Sequence, residues 1–248
     1  MADSDATTHR FERLTLKLSG EILQGAKEHG IDHDVLAGIS EQIAALSQAG
    51  VELTIVPGGG NIFRGLSGVA HGIDRVSGDQ MGMMATVLNG IALAEALKAR
   101  GCQVKLFSAL KIESIAEVFS SNRAIDNLES GGINIVTAGT GHPYFTTDTA
   151  GVLRALETDS EVLLKATRVD GVYDRDPEQH SDAKFYRRLS YMETVNKNLR
   201  VMDLTATSLC RDNDLPVIVF NLKKSGNLTA VVKGEKVGTL IEGEDKNA

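Results

Sequence analysis

Short strand-like runs alternate with longer helix-like segments along the chain, and this alternation limits the fold more than any other feature. The strand-like runs lie at residues 13–18, 51–56, 104–108, 133–138, 161–166, 216–221 and 239–241, and the helix-like segments at 32–48, 75–100, 122–129, 149–157 and 202–212. The first run, 13–18, alternates polar and apolar residues, as a strand does. Strands that alternate with helices form a mostly parallel sheet covered on both faces. We therefore predict an α/β protein, a three-layer αβα sandwich in which 239–241 adds a short edge strand.

Composition and charge narrow the class of protein. The 248 residues are 42% hydrophobic and 24% charged, which is usual for a globular protein, and the net charge is −7. This charge argues against a protein that coats DNA or RNA, although a single nucleotide needs only a few lysines and backbone amides. Cys102 and Cys210 match no metal or redox spacing and favour a reducing cytoplasm. The polar start of the chain predicts no signal peptide, and no apolar run reaches membrane-spanning length.

The domain organisation is predicted to be simple. The sequence contains no internal repeat, no low-complexity linker and no clean boundary. We expect one domain over residues 1–248, with a flexible tail at 1–12 and two lobes that meet near residue 150.

The common nucleotide and zinc motifs are missing from the sequence. It has no G-x-x-x-x-G-K-[ST], and the run at 58–63 lacks the last glycine of G-x-G-x-x-G. H-E-x-x-H is also missing, and the six histidines are scattered. By motif, the protein is neither a P-loop NTPase nor a standard dinucleotide-binding protein, and we predict no metal ligands.

A lysine turn, Lys17-Leu18-Ser19-Gly20, lies at the end of the first strand-like run. Glycine in such a turn lets the backbone approach an anion closely, and the ammonium can neutralise charge on a transferring phosphoryl group. The alternative is an exposed lysine before an ordinary turn.

A glycine turn, Gly58-Gly59-Gly60-Asn61, follows the second run. Its unobstructed N–H groups, with a helix start predicted after it, suit a phosphate, and Arg64 can bind two phosphate oxygens. The alternative is a flexible turn beside a solvated arginine. Further on, Asp79 in the run 78–80 can accept hydrogen bonds from ribose hydroxyls or can cap a helix. We expect the stripe after it to pack in the core: Met81, Met84, Val87, Leu88 and Ile91.

The loop at 140–148 lies between a predicted strand and a predicted helix, where open α/β sheets bind ligands. Thr140, His142, Thr146 and Thr147 offer hydrogen bonds to a base edge or a phosphate, and Asp148 can position lysines or a metal-bound phosphate. The alternative is that Thr147 or Asp148 only caps the helix at 149–157. The run at 165–177 ends another strand in an Asp-Gly turn of the hairpin type. There an adenine can lie against Tyr173 near Thr167, or the run is merely a hairpin with a polar tip.

At this point six runs of the sequence closely resemble the bacterial uridylate kinases (UMP kinases) of the amino-acid-kinase family. The runs are residues 16–21, 58–65, 78–83, 140–148, 164–173 and 201–206. The lysine and glycine turns occur across the wider family, whereas their combination with Gly78-Asp79 and the loop at 140–148 is specific to UMP kinases. The resemblance implies the amino-acid-kinase fold, with a phosphoacceptor lobe at about 13–150 and an ATP lobe at about 151–242.

The resemblance also implies a reaction, MgATP + UMP → MgADP + UDP, in de novo pyrimidine nucleotide biosynthesis, with Mg²⁺ carried by the nucleotide. It implies an ATP site formed by Lys17, Leu18, Ser19, Gly20, Gly60, Arg64, Thr167, Tyr173 and Asp176. It implies a UMP site formed by Gly59, Asp79, Thr140, Gly141, His142, Pro143, Tyr144, Phe145, Thr146 and Thr147. The catalytic group would be Lys17, Arg64 and Lys165 as cations, organised by Asp148 and Asp203.

Regulation and assembly are implied in the same way. Such kinases are typically homohexamers that GTP activates and UTP inhibits, without a nucleic-acid or membrane partner. The segment that matches the region linked to GTP activation is Gly25-Ala26-Lys27-Glu28-His29-Gly30.

His142 departs from the family pattern, which more often has Asn or Ser at this position. Neutral imidazole both donates and accepts, but protonation leaves it a donor only. If His142 contacts the base, UMP binding should weaken at acidic pH, and a Michaelis constant that is unchanged between about pH 5.5 and 8 would exclude that contact.

Two other functions remain as alternatives. One is a related kinase that acts on a carboxylate or carbamate, which should lack Gly78-Asp79 and the threonine-rich loop. The other is a nucleotide-binding protein without turnover, against which Lys17, Asp148 and Lys165 argue.

Overall fold

The computed structural model describes residues 9–63, 72–199 and 201–243. In these ranges the strands are β1 (Arg13–Leu18), β2 (Glu52–Pro57), β3 (Val104–Ser108), β4 (Glu117–Val118), β5 (Ile133–Thr137), β6 (Val162–Thr167), β7 (Val172–Tyr173), β8 (Phe185–Tyr186), β9 (Arg188–Ser190), β10 (Val217–Asn221) and β11 (Thr239–Glu242). The helices are α1 (Gly20–Leu23), α2 (His33–Gln48), α3 (Arg75–Lys98), α4 (Ser121–Glu129), α5 (Thr147–Glu157), α6 (Tyr191–Asn196), α7 (Leu204–Asp212) and α8 (Asn227–Val232).

The central sheet has the strand order β4-β3-β5-β2-β1-β6-β10-β11-β9. Its neighbouring strands run parallel, except that β10 and β11 pair antiparallel. The predicted α/β fold with a mostly parallel sheet is therefore confirmed. The prediction of β11 as an edge strand was wrong, because β9 pairs with its outer side. A three-residue strand such as β9 is too short to leave a periodic signal in the sequence.

The two faces of the sheet carry different side chains because strand residues alternate in direction. In β1, Leu14, Leu16 and Leu18 are fully buried in the larger apolar cluster, which includes residues of α2, α3 and α8. Full burial of such a leucine contributes about 1.5–3 kcal/mol. The intervening Lys17 lies on the opposite face, against α5. The alternation of side chains along β1 thus places the charged Lys17 on the face of the sheet that packs against α5.

Side chains cap α2, α3 and α5, and two of these caps decide alternatives that the sequence left open. Asp32 caps α2 by accepting from the backbone N–H groups of the first turn. Asp74 caps α3, so Asp79 lies inside the helix and its interpretation as a cap was wrong. Thr146 caps α5 by accepting from Asp148 N at 3.0 Å, so neither Thr147 nor Asp148 is the cap. Asp79 and Asp148 are therefore not needed as caps.

Helix α3 exposes part of the stripe that was predicted to pack in the core. Met81 and Met84 are each 43% exposed and Leu88 is 53% exposed, whereas Val87 is buried. The prediction was wrong for those three residues because α3 is apolar on more than one face, so periodicity alone does not select the buried one. Although α3 has 24 residues, no helix in the described part of the chain is both long and apolar enough to span a membrane.

The predicted hairpin at Asp170-Gly171 was also wrong. Strand β7, which follows this turn, pairs with β8 and not with β6. A β-carbon at Gly171 would lie 2.5 Å from Thr239 Oγ1, so glycine is required here for a close approach to β11. An Asp-Gly pair occurs both in hairpin turns and in turns between strands that do not pair, so the sequence alone does not distinguish them.

Candidate active site

Two lysines stand side by side at the carboxyl ends of adjacent strands. Strands β1 and β6 are parallel, and their register aligns Lys17 with Lys165. Both side chains are largely buried on the same face of the sheet, where like charges repel each other. The arrangement therefore needs an anion between the two ammonium groups.

Asp148, in the first turn of α5, supplies that anion. Its carboxylate oxygens lie 2.9 Å from Lys17 Nζ and 2.7 Å from Lys165 Nζ. Burial alone raises the pKa of Asp148, but the two ammonium groups outweigh burial and hold this pKa well below its usual range. Burial lowers the pKa of Lys165, and Asp148 opposes that shift only in part. With all three groups ionised, the cluster carries one net positive charge.

Helix α5 approaches the lysines closely because it contains a glycine at the contact. A β-carbon at Gly151 would lie 3.3 Å from Lys17 Cβ and 3.4 Å from Lys17 Cγ. This contact leaves the start of α5 beside the ammonium groups, where its first N–H groups and the helix dipole also favour an anion. The site is thus positive from both side chains and backbone.

Asp203 joins the starts of two helices. It caps α7 by accepting from Ala206 N at 2.9 Å. It also accepts from Thr146 Oγ1 at 2.5 Å and from Thr149 Oγ1 at 2.9 Å, both at the start of α5. The carboxylate therefore fixes α5 relative to α7, and its charge adds a favourable effect on protonated Lys165.

A cavity of about 590 Å³ opens beside β6 and β7. Its lining includes four of the residues predicted for ATP binding or catalysis: Lys165, Thr167, Tyr173 and Asp176. The ring of Tyr173 makes an edge contact with Phe185, with centroids 5.2 Å apart. A cavity of this volume is within the usual range for a small-molecule site.

The lysine and glycine turns lie against each other and outside the lining of that cavity. Gly58 N donates to Leu18 O at 2.7 Å, and a β-carbon at Gly20 would lie 2.8 Å from Gly60 N. The side chain of Leu18 is fully buried, so only its backbone is available to a ligand. Arg64 and the helix start predicted after the glycine turn lie outside the described residues.

A second, smaller cavity of about 140 Å³ lies between the glycine turn, α3 and the loop before α5. Of the residues predicted for UMP binding, its lining includes Gly59, Asp79, Thr140, Phe145, Thr146 and Thr147. Four others are not part of the lining: Gly141, His142, Pro143 and Tyr144. The His142 side chain is exposed, with Nδ1 3.2 Å from Thr140 O, so its contact with a base stays a prediction.

Asp79 is held by Arg75, which the sequence did not single out, and by Tyr144 of the predicted UMP loop. Its Oδ2 lies 2.7 Å from Arg75 Nε and accepts from Tyr144 N at 2.8 Å. Tyr144 has a positive φ of 72°, and its ring lies under the guanidinium of Arg75, 5.4 Å from the centroid. The i,i+4 spacing of Arg75 and Asp79 was the available signal for this pair.

The segment 25–30 forms an exposed turn between α1 and α2. Gly25 and Gly30 have φ values of +62° and +85°, which favour glycine, and the four residues between them are exposed. Gly30 N donates to Asn61 O at 2.8 Å, so this segment is bonded to the residue that ends the glycine turn.

The carboxylates of the site are occupied by protein donors. In the described part of the chain, no three His, Cys, Asp or Glu side chains are grouped so that they could hold a metal ion. Asp148 and Asp203 instead bind lysines, threonines and a helix start.

Comparison with known proteins identifies the family of the chain. The model of the amino acid kinase family matches residues 12–221. Uridylate kinases of Parabacteroides distasonis and Phocaeicola vulgatus are each 49% identical over 94% of this chain and 98% of their own length. The crystal structure of UMP kinase from Bacillus anthracis is 37% identical, with a TM-score of 0.91 over 95% of this chain and 97% of that one. The chain therefore belongs to the amino acid kinase family and, within it, to the bacterial uridylate kinases.

Proposed function

We propose that the protein transfers the γ-phosphate of MgATP to UMP, forming ADP and UDP. The observation that carries this proposal is the position of the lysine–aspartate cluster. Lys165 lines the larger cavity, and Thr147, next to Asp148, lines the smaller one. A phosphoryl group passing between nucleotides bound in the two cavities would pass the two ammonium groups. The uridylate kinase relatives support the same reaction.

We assign the larger cavity to ATP and the smaller to UMP, which divides the domain into an ATP lobe at about 151–242 and an acceptor lobe at about 13–150. The adenosine would lie by Thr167, Tyr173 and Asp176 in the larger cavity, and the phosphates would extend along the lysine turn and Arg64 to Gly60, which lines the smaller cavity. The uridine would lie by Gly59, Asp79 and the loop at 140–147. The volume of the larger cavity supports this division.

The chemistry needs alignment and charge neutralisation. An oxygen of the UMP phosphate attacks the γ-phosphorus, and the bond to the β–γ bridging oxygen breaks, so that ADP leaves. A phosphate monoester dianion is already nucleophilic, so the step needs no general base. Lys17 and Lys165 would stabilise charge on the transferring group, while Asp148 keeps both ammonium groups in place. Mg²⁺ would enter with ATP as part of the substrate.

We also propose the context of the reaction. It belongs to de novo synthesis of UTP and CTP in the cytoplasm, by a homohexamer that GTP activates through the segment 25–30 and that UTP inhibits. The two unpaired cysteines agree with a reducing compartment. The exposed apolar side chains Met81, Met84 and Leu88 on α3 give an assembly a surface to cover.

The test is ADP formation from MgATP with a panel of acceptors: UMP, CMP, dUMP, AMP, aspartate, glutamate and carbamate. We expect turnover with UMP, its loss in Lys17→Ala, and no change in Lys98→Ala, a control at an exposed ion pair on α3. Turnover with a carboxylate or carbamate would indicate the related kinase. Tight UMP binding by calorimetry without any turnover would indicate the non-catalytic nucleotide-binding protein.

A further inference from the structure

Two asparagine side chains are paired with each other in the protein interior. Asn61 ends the glycine turn and is 1% exposed, and Asn89 in α3 is 0% exposed. Asn61 Nδ2 donates to Asn89 Oδ1 at 3.0 Å, and Asn89 Nδ2 donates back to Asn61 Oδ1 at 2.7 Å. Buried amides are costly unless their donors and acceptors are paired, so this reciprocal contact fixes both side chains.

Each side-chain amide donates a second hydrogen bond, so the four bonds together use every hydrogen of the two NH₂ groups. Asn89 Nδ2 donates to Gly58 O at 2.7 Å, and Asn61 Nδ2 donates to Gly30 O at 2.8 Å. Backbone carbonyls only accept, so rotating either amide by 180° would place oxygen against oxygen. The pair therefore has one arrangement, and a fully satisfied buried network of this kind is rigid.

The pair lies directly behind the two turns proposed to bind phosphate. Gly58 O belongs to the glycine turn, and a β-carbon at Gly20, in the lysine turn, would lie 2.5 Å from Asn61 Oδ1. With so little space, a displacement of the Asn61 side chain also displaces the contact between the turns. In the proposed reaction this contact sets how Lys17 meets the γ-phosphate.

The same pair reaches the exposed segment 25–30. Gly30 exchanges two hydrogen bonds with Asn61, donating its N–H to Asn61 O and accepting from Asn61 Nδ2, both at 2.8 Å. A change in the backbone of this segment would therefore displace Asn61 directly, through these two hydrogen bonds.

We propose that Asn61 and Asn89 are positioning residues for phosphoryl transfer, and that they make the geometry of the glycine turn depend on the segment 25–30. This inference rests on the proposed kinase function. All side-chain amide hydrogens of the two asparagines are bonded to protein atoms. Their effect on the reaction therefore passes through Gly58 and the glycine turn. Neither the cavities nor the ion cluster alone predicts such a dependence.

The first test compares two buried asparagines. Asn89→Asp keeps the shape of the side chain but removes the donors to Gly58 O and Asn61 Oδ1. Its control is Asn134→Asp, since Asn134 is also 0% exposed and donates to Ala124 O at 2.9 Å, but lies in β5 outside the lining of both cavities. Both variants should lose thermal stability. Only Asn89→Asp should lose kcat/KM for ATP, by about 10–100-fold, the range expected for a misplacement of up to 1 Å. Equal kinetic losses in the two variants would overturn the proposal.

The second test does not depend on a buried substitution. Gly30 and Gly131 have φ values of +85° and +80°, and a β-carbon at either would meet nothing within 4 Å. Gly30→Ala and Gly131→Ala should therefore lower Tm by similar small amounts, while only Gly30→Ala weakens ATP binding and turnover. Identical kinetics and ATP affinities in both variants would contradict the role given to Asn61. Calorimetric Kd values for ATP test this inference separately from the proposed kinase function. The Kd values of Gly30→Ala and Gly131→Ala can differ even if the wild-type protein shows no turnover with UMP.

Discussion

Replacing Asp148 with asparagine isolates the charge that holds the two site lysines together. The side chain keeps its shape, but Lys17 and Lys165 lose the carboxylate that lies 2.9 and 2.7 Å from them. At an effective dielectric constant near 20, each pair contributes about 6 kcal/mol of Coulomb energy, most of which offsets the cost of burying the ions. Breaking such a buried pair costs about 3–5 kcal/mol in free energy of unfolding.

The assay is thermal unfolding at fixed protein concentration. A loss of 1 kcal/mol lowers Tm by roughly 2–4 °C in a chain of this size, so Asp148→Asn should lower Tm by about 6–20 °C at pH 7. Burial already lowers the pKa of Lys165, and loss of Asp148 lowers it further. As pH rises towards 9, the folded variant then holds fewer protons than the unfolded chain, so its stability rises with pH and the deficit shrinks.

Asp212→Asn is the matched control, because Asp212 is exposed and its ion pair is with the adjacent Arg211. It should change stability by less than about 0.5 kcal/mol. A Tm for Asp148→Asn equal to that of the control at pH 7 would refute the account of the cluster. A deficit that does not shrink towards pH 9 would refute the part assigned to Lys165.

Four further outcomes follow from the site. Lys17→Ala should lower kcat by about 10²–10³-fold with a smaller change in UMP affinity, because its charge acts mainly in the transition state, and unchanged turnover would remove the role. Asp79→Asn should raise the Michaelis constant for UMP, and an unchanged constant would exclude Asp79 from binding. Gly59→Ala should lower Tm, because its β-carbon would lie 2.8 Å from a backbone oxygen of α3. Gly60→Ala should fold normally, because its β-carbon would meet nothing within 4 Å, and should raise the Michaelis constant for ATP. A stable Gly59→Ala together with an unstable Gly60→Ala would contradict both expectations. The wild-type kcat should fall with rising pH before the ordinary lysine pKa of 10.5, because burial lowers the pKa of Lys165, and a flat alkaline profile would count against this lysine.

The sequence predicts what depends on local pattern. Strands β1, β3 and β10 are short strand-like runs next to turns or glycines, and their bounds agree with the prediction to within one residue. The carboxyl ends of parallel strands meet at one edge of a sheet. For that reason the lysine turn and the run that begins at Lys165 were expected at one edge of the sheet, whereas the catalytic role of Lys165 was implied only by the resemblance to uridylate kinases.

The sequence does not predict what depends on partners far along the chain. Asn89 has the same local signal as any polar residue in a helix, and only the fold brings it to Asn61. Thr149 resembles an ordinary first-turn residue until Asp203 lies beside it. The outward face of α3 was mistaken for the core because nothing in the sequence of a single chain marks which of two apolar faces meets the sheet.

The alignment of Lys17 with Lys165 also has a consequence for synthesis of the chain. The two strands begin 149 residues apart, at Arg13 and Val162 (162 − 13), whereas β2, which pairs with the other side of β1, is synthesised long before β6. At about 5–20 residues per second, one side of β1 stays open for roughly 7–30 s on the ribosome. Open strands invite pairing with other chains, and a lysine on the strand is one of the features that discourage it. The residue proposed to neutralise the transferring phosphate would thus first protect the nascent chain from aggregation.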